Sequence, residues 1–405
     1  MIQKKLIQQV LDKVEGCTFK ATYWDGDSHI FSSDGRNDRK GRKEPEFELI
    51  FNEKLDLAEI KQSPELKLGE AYMQGKIDVR GDLRDILQIG ARNADKIGGD
   101  DKEKWYDSFM QRQREISRKG QEEGVRHHYD IGNDFFKLWQ DETMTYSCAY
   151  FKTPDDDLKE AQLQKIDHIL KKLNLKPGER LLDIGCGWGE LVIRAAEQYG
   201  VEALGITLSE EQVKGGQKKI QNRQVEDLVT IKKKDYRELA QEKMIFDKIV
   251  SVGMFEHVGR EHIPDYFQAV HDMLEEGGLS LLHSITHQKE DPSHPWLEKY
   301  IFPWGYIPSL REVVWQLPEF SFRLIDAENI RRHYALTAEN WFENYTEARD
   351  QVTEMFDEEF ARMWELFLAG VVATFRYLGT SVHQLLFVKG INNELPLTRD
   401  YMYDS

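Results

Sequence analysis

Two groups of residues in this sequence could do chemistry. The first is Leu181-Leu182-Asp183-Ile184-Gly185-Cys186-Gly187-Trp188-Gly189. A short apolar run ends in an acid, alternating glycines follow, and an amphipathic segment begins. Glycines let the backbone turn tightly and approach a ligand without a Cβ in the way. The spacing is D-x-G-x-G-x-G and not G-x-G-x-x-G, and the acid precedes the glycines. That suits a cofactor with an amino-acid end and no pyrophosphate. An ordinary βα turn is the plainer alternative, and Cys186 reads as a small buried filler. Ligands of such sheets lie across the carboxyl ends of the strands. Gly205-Ile206-Thr207-Leu208-Ser209 leaves the next strand there without an acid for ribose hydroxyls; Gln212 could supply those hydrogen bonds. Asp235-Tyr236-Arg237 could flank an adenine or simply lie on the surface.

The second group is scattered. It comprises His127-His128-Tyr129-Asp130-Ile131-Gly132-Asn133-Asp134-Phe135-Phe136, Thr143-Met144-Thr145-Tyr146-Ser147-Cys148, Met254-Phe255-Glu256-His257, Leu282-His283-Ser284-Ile285 and Arg331-Arg332-His333-Tyr334. His283 and Tyr334 can donate to an oxyanion. His283 and Ile285 are two apart on a strand and share a face. Each has a bland reading: Cys148 and His283 as satisfied core residues, Glu256 as a helix cap, His257 as a structural residue pointing elsewhere. His127 and His128 lack the i, i+4 spacing of a zinc helix, so no metal site is expected.

The elements that must position these residues follow from periodicity. Arg180–Ile184, Val201–Ile206, Leu228–Ile231, Phe246–Val252 and Gly278–Ile285 read as strands with helices between, and Gln384–Lys389 as a closing strand. This βαβ rhythm predicts an α/β fold, a doubly wound, mostly parallel sheet with both faces covered. Residues 1–100 read as a smaller mixed domain: helices at Ile2–Val14, Pro64–Gln74 and Leu83–Lys96, strands at Phe19–Trp24 and Phe47–Phe51. Residues 101–126 read as a charged linker, a solvated helix or a basic patch for anionic lipid, and 127–405 as the catalytic domain. Trp341–Phe375 carries apolar residues every three or four positions, as one long helix or a pair, forming plain core or lining an acyl tunnel. The 405 residues carry a formal charge of −17, which disfavours a general nucleic-acid binder. Three scattered cysteines suit a reducing cytoplasm. The first residues open no long apolar run, so no secretory leader is expected, and no stretch of about 18 apolar residues suggests a bilayer span.

The glycine motif resembles the first motif of class I S-adenosylmethionine methyltransferases, whose sheet has seven strands. With the scattered motifs, which occur in order over roughly residues 120–390, the chain resembles the cyclopropane-fatty-acyl-phospholipid synthase family, which includes the mycolic-acid cyclopropane synthases. The resemblance implies transfer of a methylene from S-adenosylmethionine to a cis double bond of a phospholipid acyl chain, with a bound bicarbonate ion as base. It implies that Cys148, Glu256, His283, the backbone of Ile285 and Tyr334 hold the bicarbonate. Tyr146 and Ser147 would contact the methionine end of the donor, beside Asp183, Gly185, Gly187 and Gly189. Thr207 and Gln212 would lie near the ribose, and Tyr236 and Arg237 beside the adenine. It also implies a homodimer in the cytoplasm, held peripherally at the inner face of the membrane, with residues 1–100 as a lipid- or membrane-associated domain. The aromatic cluster Trp296, Tyr300, Phe302, Trp304 and Tyr306 reads as a lid or tunnel mouth, or a packed connector. Lys232-Lys233-Lys234 and Lys214, Lys218 and Lys219 could meet lipid phosphates or be merely exposed. A methyltransferase without ring closure and a non-catalytic lipid-binding module are the alternatives.

Overall fold

The computed structural model describes residues 2–32, 44–97, 131–292 and 294–403, with Gly120, Gly124 and His128. Apart from those two glycines, the expected linker and its basic patch lie outside the described residues, as does His127. The chain divides into two compact units. One contains Met1–Trp105, His294–Ile301 and Ala338–Gly379; the other contains Tyr106–Ser293, Phe302–Thr337 and Thr380–Ser405. Segments 294–301 and 338–379, which the sequence division assigns to the C-terminal part, therefore group with the N-terminal part.

The first unit holds a four-stranded sheet in the order β2 (Ser28–Ser32), β1 (Thr18–Thr22), β3 (Phe47–Phe51), β4 (Ile77–Arg80). β1 and β3 are parallel; the outer pairs are antiparallel. Phe19 stacks on Phe31 and Phe47 at 4.9 and 5.0 Å, which gives this small sheet an aromatic core. The helix expected over Leu83–Lys96 ends at Arg92. There the buried Asn93 side chain accepts from Glu15 N (3.0 Å) and donates to Ile89 O (2.9 Å), breaking the helix. Ser63 precedes the helix Pro64–Met73, and its side chain makes no cap bond. The long apolar stripe is a pair, Arg331–Met355 and Glu358–Tyr377. Asp357 caps the second helix, accepting from Phe360 N at 2.8 Å. Trp341, Tyr345, Val352 and Trp364 on these helices are buried core.

The second unit holds a seven-stranded sheet in the order β10, β11, β9, β8, β5, β6, β7. The strands are β5 (Arg180–Ile184), β6 (Glu202–Thr207), β7 (Val229–Lys233), β8 (Phe246–Val252), β9 (Leu274–His287), β10 (Phe322–Asn329) and β11 (Thr380–Lys389). β9, β8, β5, β6 and β7 run parallel. β11 pairs antiparallel with β9 and β10 antiparallel with β11. Leu181 and Leu182 of β5 are fully buried, as the central strand of a doubly wound sheet requires. β10 was not read from the sequence. Strand order reverses beside β5, between β6 and β8, and that switch point opens a crevice at the strands' carboxyl ends.

Candidate active site

A cavity of about 1110 Å³, counted to its open mouth, occupies this crevice. Its wall includes Tyr146, Ser147, Asp183, Gly185 and Gly187, then Thr207, Gln212, Tyr236 and Arg237. Gly185 has φ +84°, and a Cβ there would stand 2.6 Å from Met254 Cβ, so the turn admits only glycine without a shift. Gly189 is not on the wall. It caps the helix Glu190–Tyr199 at φ +82°, and a Cβ there would collide with Ile231 Cδ1. Its role is to seat that helix on the sheet. Cys186 is buried, its Sγ against Gly205, consistent with a filler.

Thr207 donates to Gln212 Oε1 at 2.5 Å, and Ser209 caps the helix that carries Gln212, accepting from Gln212 N. Asp235 clamps Arg237 through Nε (2.8 Å) and Nη2 (2.5 Å), so this guanidinium is held in place beside the Tyr236 ring. Trp188 Nε1 donates to Asn133 Oδ1 at 2.8 Å. His128 lies 3.2 Å from the Tyr146 hydroxyl through Nε2, with the two rings stacked.

Three charged or titratable groups on the wall have unusual surroundings. Asp183 Oδ1 is buried with no hydrogen-bond partner. Burial pushes this carboxyl up to about 7, against the opposing pull of Lys165. Lys165 is itself buried on the wall, donating to Ser147 Oγ at 2.6 Å, and burial brings it down to about 8. His257 also lines the cavity and is pushed down to about 4 by burial, so its ring is neutral at ordinary pH. The expectation that the His257 side chain points elsewhere is corrected here: the 3-10 turn Phe255–His257 turns it onto the wall.

Some residues of the second group are linked through a chain of contacts, and Cys148, Glu256, His283, Ile285 and Tyr334 are not on the cavity wall. Glu256 Oε1 accepts from Ile285 N at 2.6 Å. Its Oε2 is buried with no partner, and burial pushes the carboxyl above its ordinary value. Glu256 therefore caps no helix; it is tied to β9. Ile285 pairs with Val382 of β11, and Val382 O accepts from Ile330 N at 2.9 Å. Ile330 O in turn faces Cys148 Sγ at 3.8 Å. Cys148 is buried, and burial pushes its thiol far above the ordinary range. His283, two residues before Ile285, lies 3.3 Å from Gln384 Nε2 through Nδ1 and is held neutral by burial. Tyr334 lies in the first turn of the helix that follows Ile330 and is half-buried.

Lys165 was not among the residues singled out from sequence. The basic clusters prove to be largely paired: Lys233 with Glu210, Lys234 with Glu242, Lys214 with Glu211 and Lys219 with Glu190. The aromatic cluster is divided. Trp296 donates to Met73 Sδ (3.3 Å) and Tyr300 to Glu70 (2.9 Å) in the first unit. Tyr306 is buried on Glu312 in the second, where Phe302 lies 4.4 Å from the His128 ring.

Comparison with known proteins gives a consistent result. The family model described as mycolic acid cyclopropane synthetase matches residues 116–385, and a domain of unknown function matches residues 6–102. The probable fatty acid methyltransferase of Pseudomonas putida is 34% identical over 89% of this chain and 92% of its own length. The cyclopropane-fatty-acyl-phospholipid synthase of Escherichia coli K12 is 41% identical over 68% of this chain and 70% of its own. The solved mycolic acid cyclopropane synthase CmaA1, complexed with SAH and CTAB, is similar with a TM-score of 0.62 at 34% identity, covering 66% of this chain and 98% of that one.

Proposed function

Because the chain belongs to the mycolic acid cyclopropane synthetase family, we propose that it is a cyclopropane-fatty-acyl-phospholipid synthase. It converts a cis double bond of a phospholipid acyl chain into a cyclopropane ring, with S-adenosylmethionine as methyl donor. The observation that carries this reading is an open crevice at the switch point together with a layer of buried polar groups outside its wall, the unpartnered Glu256 Oε2 and the His283 ring. The donor sulfonium supplies a methyl electrophilic enough for an alkene, a poor nucleophile. The alkene's electron pair forms the new carbon–carbon bond as the methyl–sulfur bond breaks, its pair staying on sulfur in the departing S-adenosylhomocysteine, and a cation is left on the acyl chain. Loss of a proton from the new methyl then releases the pair that closes the ring. Water would quench that cation, so the layer must be dry, and Cys148, His283 and Ser284 are buried.

The chain's residues suit a bound oxyanion base, and bicarbonate would supply that base. Glu256 Oε2 has one hydrogen bond left to make: as a donor when protonated, or accepting a bicarbonate hydroxyl when ionised. With Gln384 donating to Nδ1, the proton of the neutral His283 ring sits on Nε2, which can donate to an oxyanion. Cys148 and Tyr334 complete the set. At the other end, Asp183 would take the donor's ammonium, Tyr146 and Ser147 its methionine end, Thr207 and Gln212 the ribose, and Tyr236 and Arg237 the adenine. On this reading the enzyme is a homodimer that meets the cytoplasmic leaflet peripherally. No helix among the described residues is long and apolar enough to cross a membrane.

Purified protein, S-adenosylmethionine and vesicles of unsaturated phospholipid should yield cyclopropane chains by fragmentation mass spectrometry, stimulated by bicarbonate. Glu256→Gln and Cys148→Ser should each lose about 10²-fold or more in rate while S-adenosylhomocysteine binding, read by calorimetry, stays within about twofold. Wild-type rates in both variants would move the chemistry elsewhere. A second reading has a specific basis: the Pseudomonas putida relative, a probable fatty acid methyltransferase, matches nearly the whole chain. Branched products without a ring would select it.

A further inference from the structure

The helix Leu158–Lys172 presents Lys165 to the sheet and not to solvent. Burying an ammonium is costly unless it is paired. Among the described residues no carboxylate lies within ion-pair distance of Lys165; its hydrogen bond goes to the neutral Ser147 Oγ, at 2.6 Å. An ammonium has three N–H donors, and one is used there. The Ser147 oxygen accepts from Lys165, so its own hydrogen must point to another acceptor, and Ser147 lines the cavity. On the same wall Asp183 Oδ1 is buried without a partner. The wall thus holds a cation with its polarised hydroxyl and an anion, each incompletely satisfied by the protein and not joined to the other.

We infer that Lys165 is a recognition residue for the carboxylate of the donor's amino-acid end, acting from the cavity wall and through Ser147 while Asp183 receives the ammonium. This rests on the reading of the cavity as the donor site. A ligand carrying both charges on one carbon completes both groups at once; a nucleoside thioether without them completes neither. Lys165 thereby selects the intact donor over its nucleoside breakdown products.

The test is a two-by-two comparison by calorimetry: wild type and Lys165→Met, each with S-adenosylhomocysteine and with its decarboxylated analogue. In wild type, loss of the ligand carboxylate should weaken binding about ten- to a hundred-fold, the range for a hydrogen bond to a charged group. In Lys165→Met the same change should cost less than about threefold, the difference measuring the coupling. A residue that merely supports the helix would weaken both ligands alike, and equal carboxylate penalties in both proteins overturn the inference. So does a wild type indifferent to the carboxylate, a result that needs no variant. Should Lys165→Met not fold, Lys165→Gln, which keeps an N–H for Ser147 without the charge, takes its place. Failure of wild type to bind S-adenosylhomocysteine at all would instead remove the donor-site reading beneath it.

Discussion

Asp183 shows how one buried oxygen sets a pH dependence opposite to that of an ordinary carboxylate. Its folded value is raised from 3.8 to about 7. Between those values the folded chain keeps a proton that the unfolded chain has released, so stability falls as pH climbs through the window and levels off above it. A salt-bridged aspartate would behave the other way. Lys165, lowered from 10.5 to about 8, acts only above about pH 8, where the folded chain sheds its proton first and stability recovers. The lower window therefore reports Asp183. Without ligand, Asp183→Asn should melt above wild type by a margin that is small near pH 4, grows to about pH 7.5 and then holds constant. Calorimetric melts in steps of pH read this directly. A margin that does not change with pH would mean that Asp183 ionises like a surface acid.

At the scale of the element, the turn between β5 and its helix carries a specific strain. Gly189 combines φ +82° with a Cβ position already taken by Ile231. Gly189→Ala should therefore lose about 1–3 kcal/mol in urea unfolding, and a loss below about 0.5 kcal/mol would show that the turn relaxes. This turn and β5, β6, β8, β9 and β11 were legible because each is a short apolar run between turn signals. β10 was not, for two reasons. Half of Phe322–Asn329 is polar, and a register shift between Leu324 and Asp326 interrupts the alternation of two that marks a strand. Lys165 was missed because a lysine in a helical pattern counts as surface, and nothing periodic separates a buried lysine from an exposed one. His257 was singled out but its side chain was read as pointing elsewhere, because a 3-10 turn after a strand has no side-chain period to read. The candidate set Cys148, Glu256, His283 and Tyr334 was legible only through family resemblance: His283 lies on β9, Glu256 in the 3-10 turn after β8, Tyr334 in the helix after β10 and Cys148 in a loop, and nothing in their sequence spacing links them.

At the scale of the whole molecule, the division into units has a consequence for what can fold alone. The helix Glu358–Tyr377 belongs by sequence to the region matched by the synthetase family, yet by packing to the first unit. Arg362 donates to Tyr72 O (2.6 Å) and Ile77 O (3.0 Å) and lies 4.3 Å over the Tyr72 ring. The Tyr72 hydroxyl meets Glu365 at 3.2 Å, and Arg92 reaches the Tyr377 hydroxyl at 2.8 Å. Gly69 leaves room for the Trp296 ring, which would clash with any larger residue there. Removing residues 1–105 would strip these partners from the partly buried Arg362 and uncover the apolar helix face they shield. Buried polar groups left unpaired cost about 1–3 kcal/mol each, and an exposed apolar face of this kind promotes association. A chain beginning at residue 106 should therefore aggregate, or bind a hydrophobic dye strongly and melt without a sharp transition, although solved relatives are complete at about two thirds of this length. Light scattering and calorimetry on that shortened chain decide the matter. A soluble species with the full chain's melting temperature would mean that the N-terminal region is an independent module and that helices 338–379 stand without it.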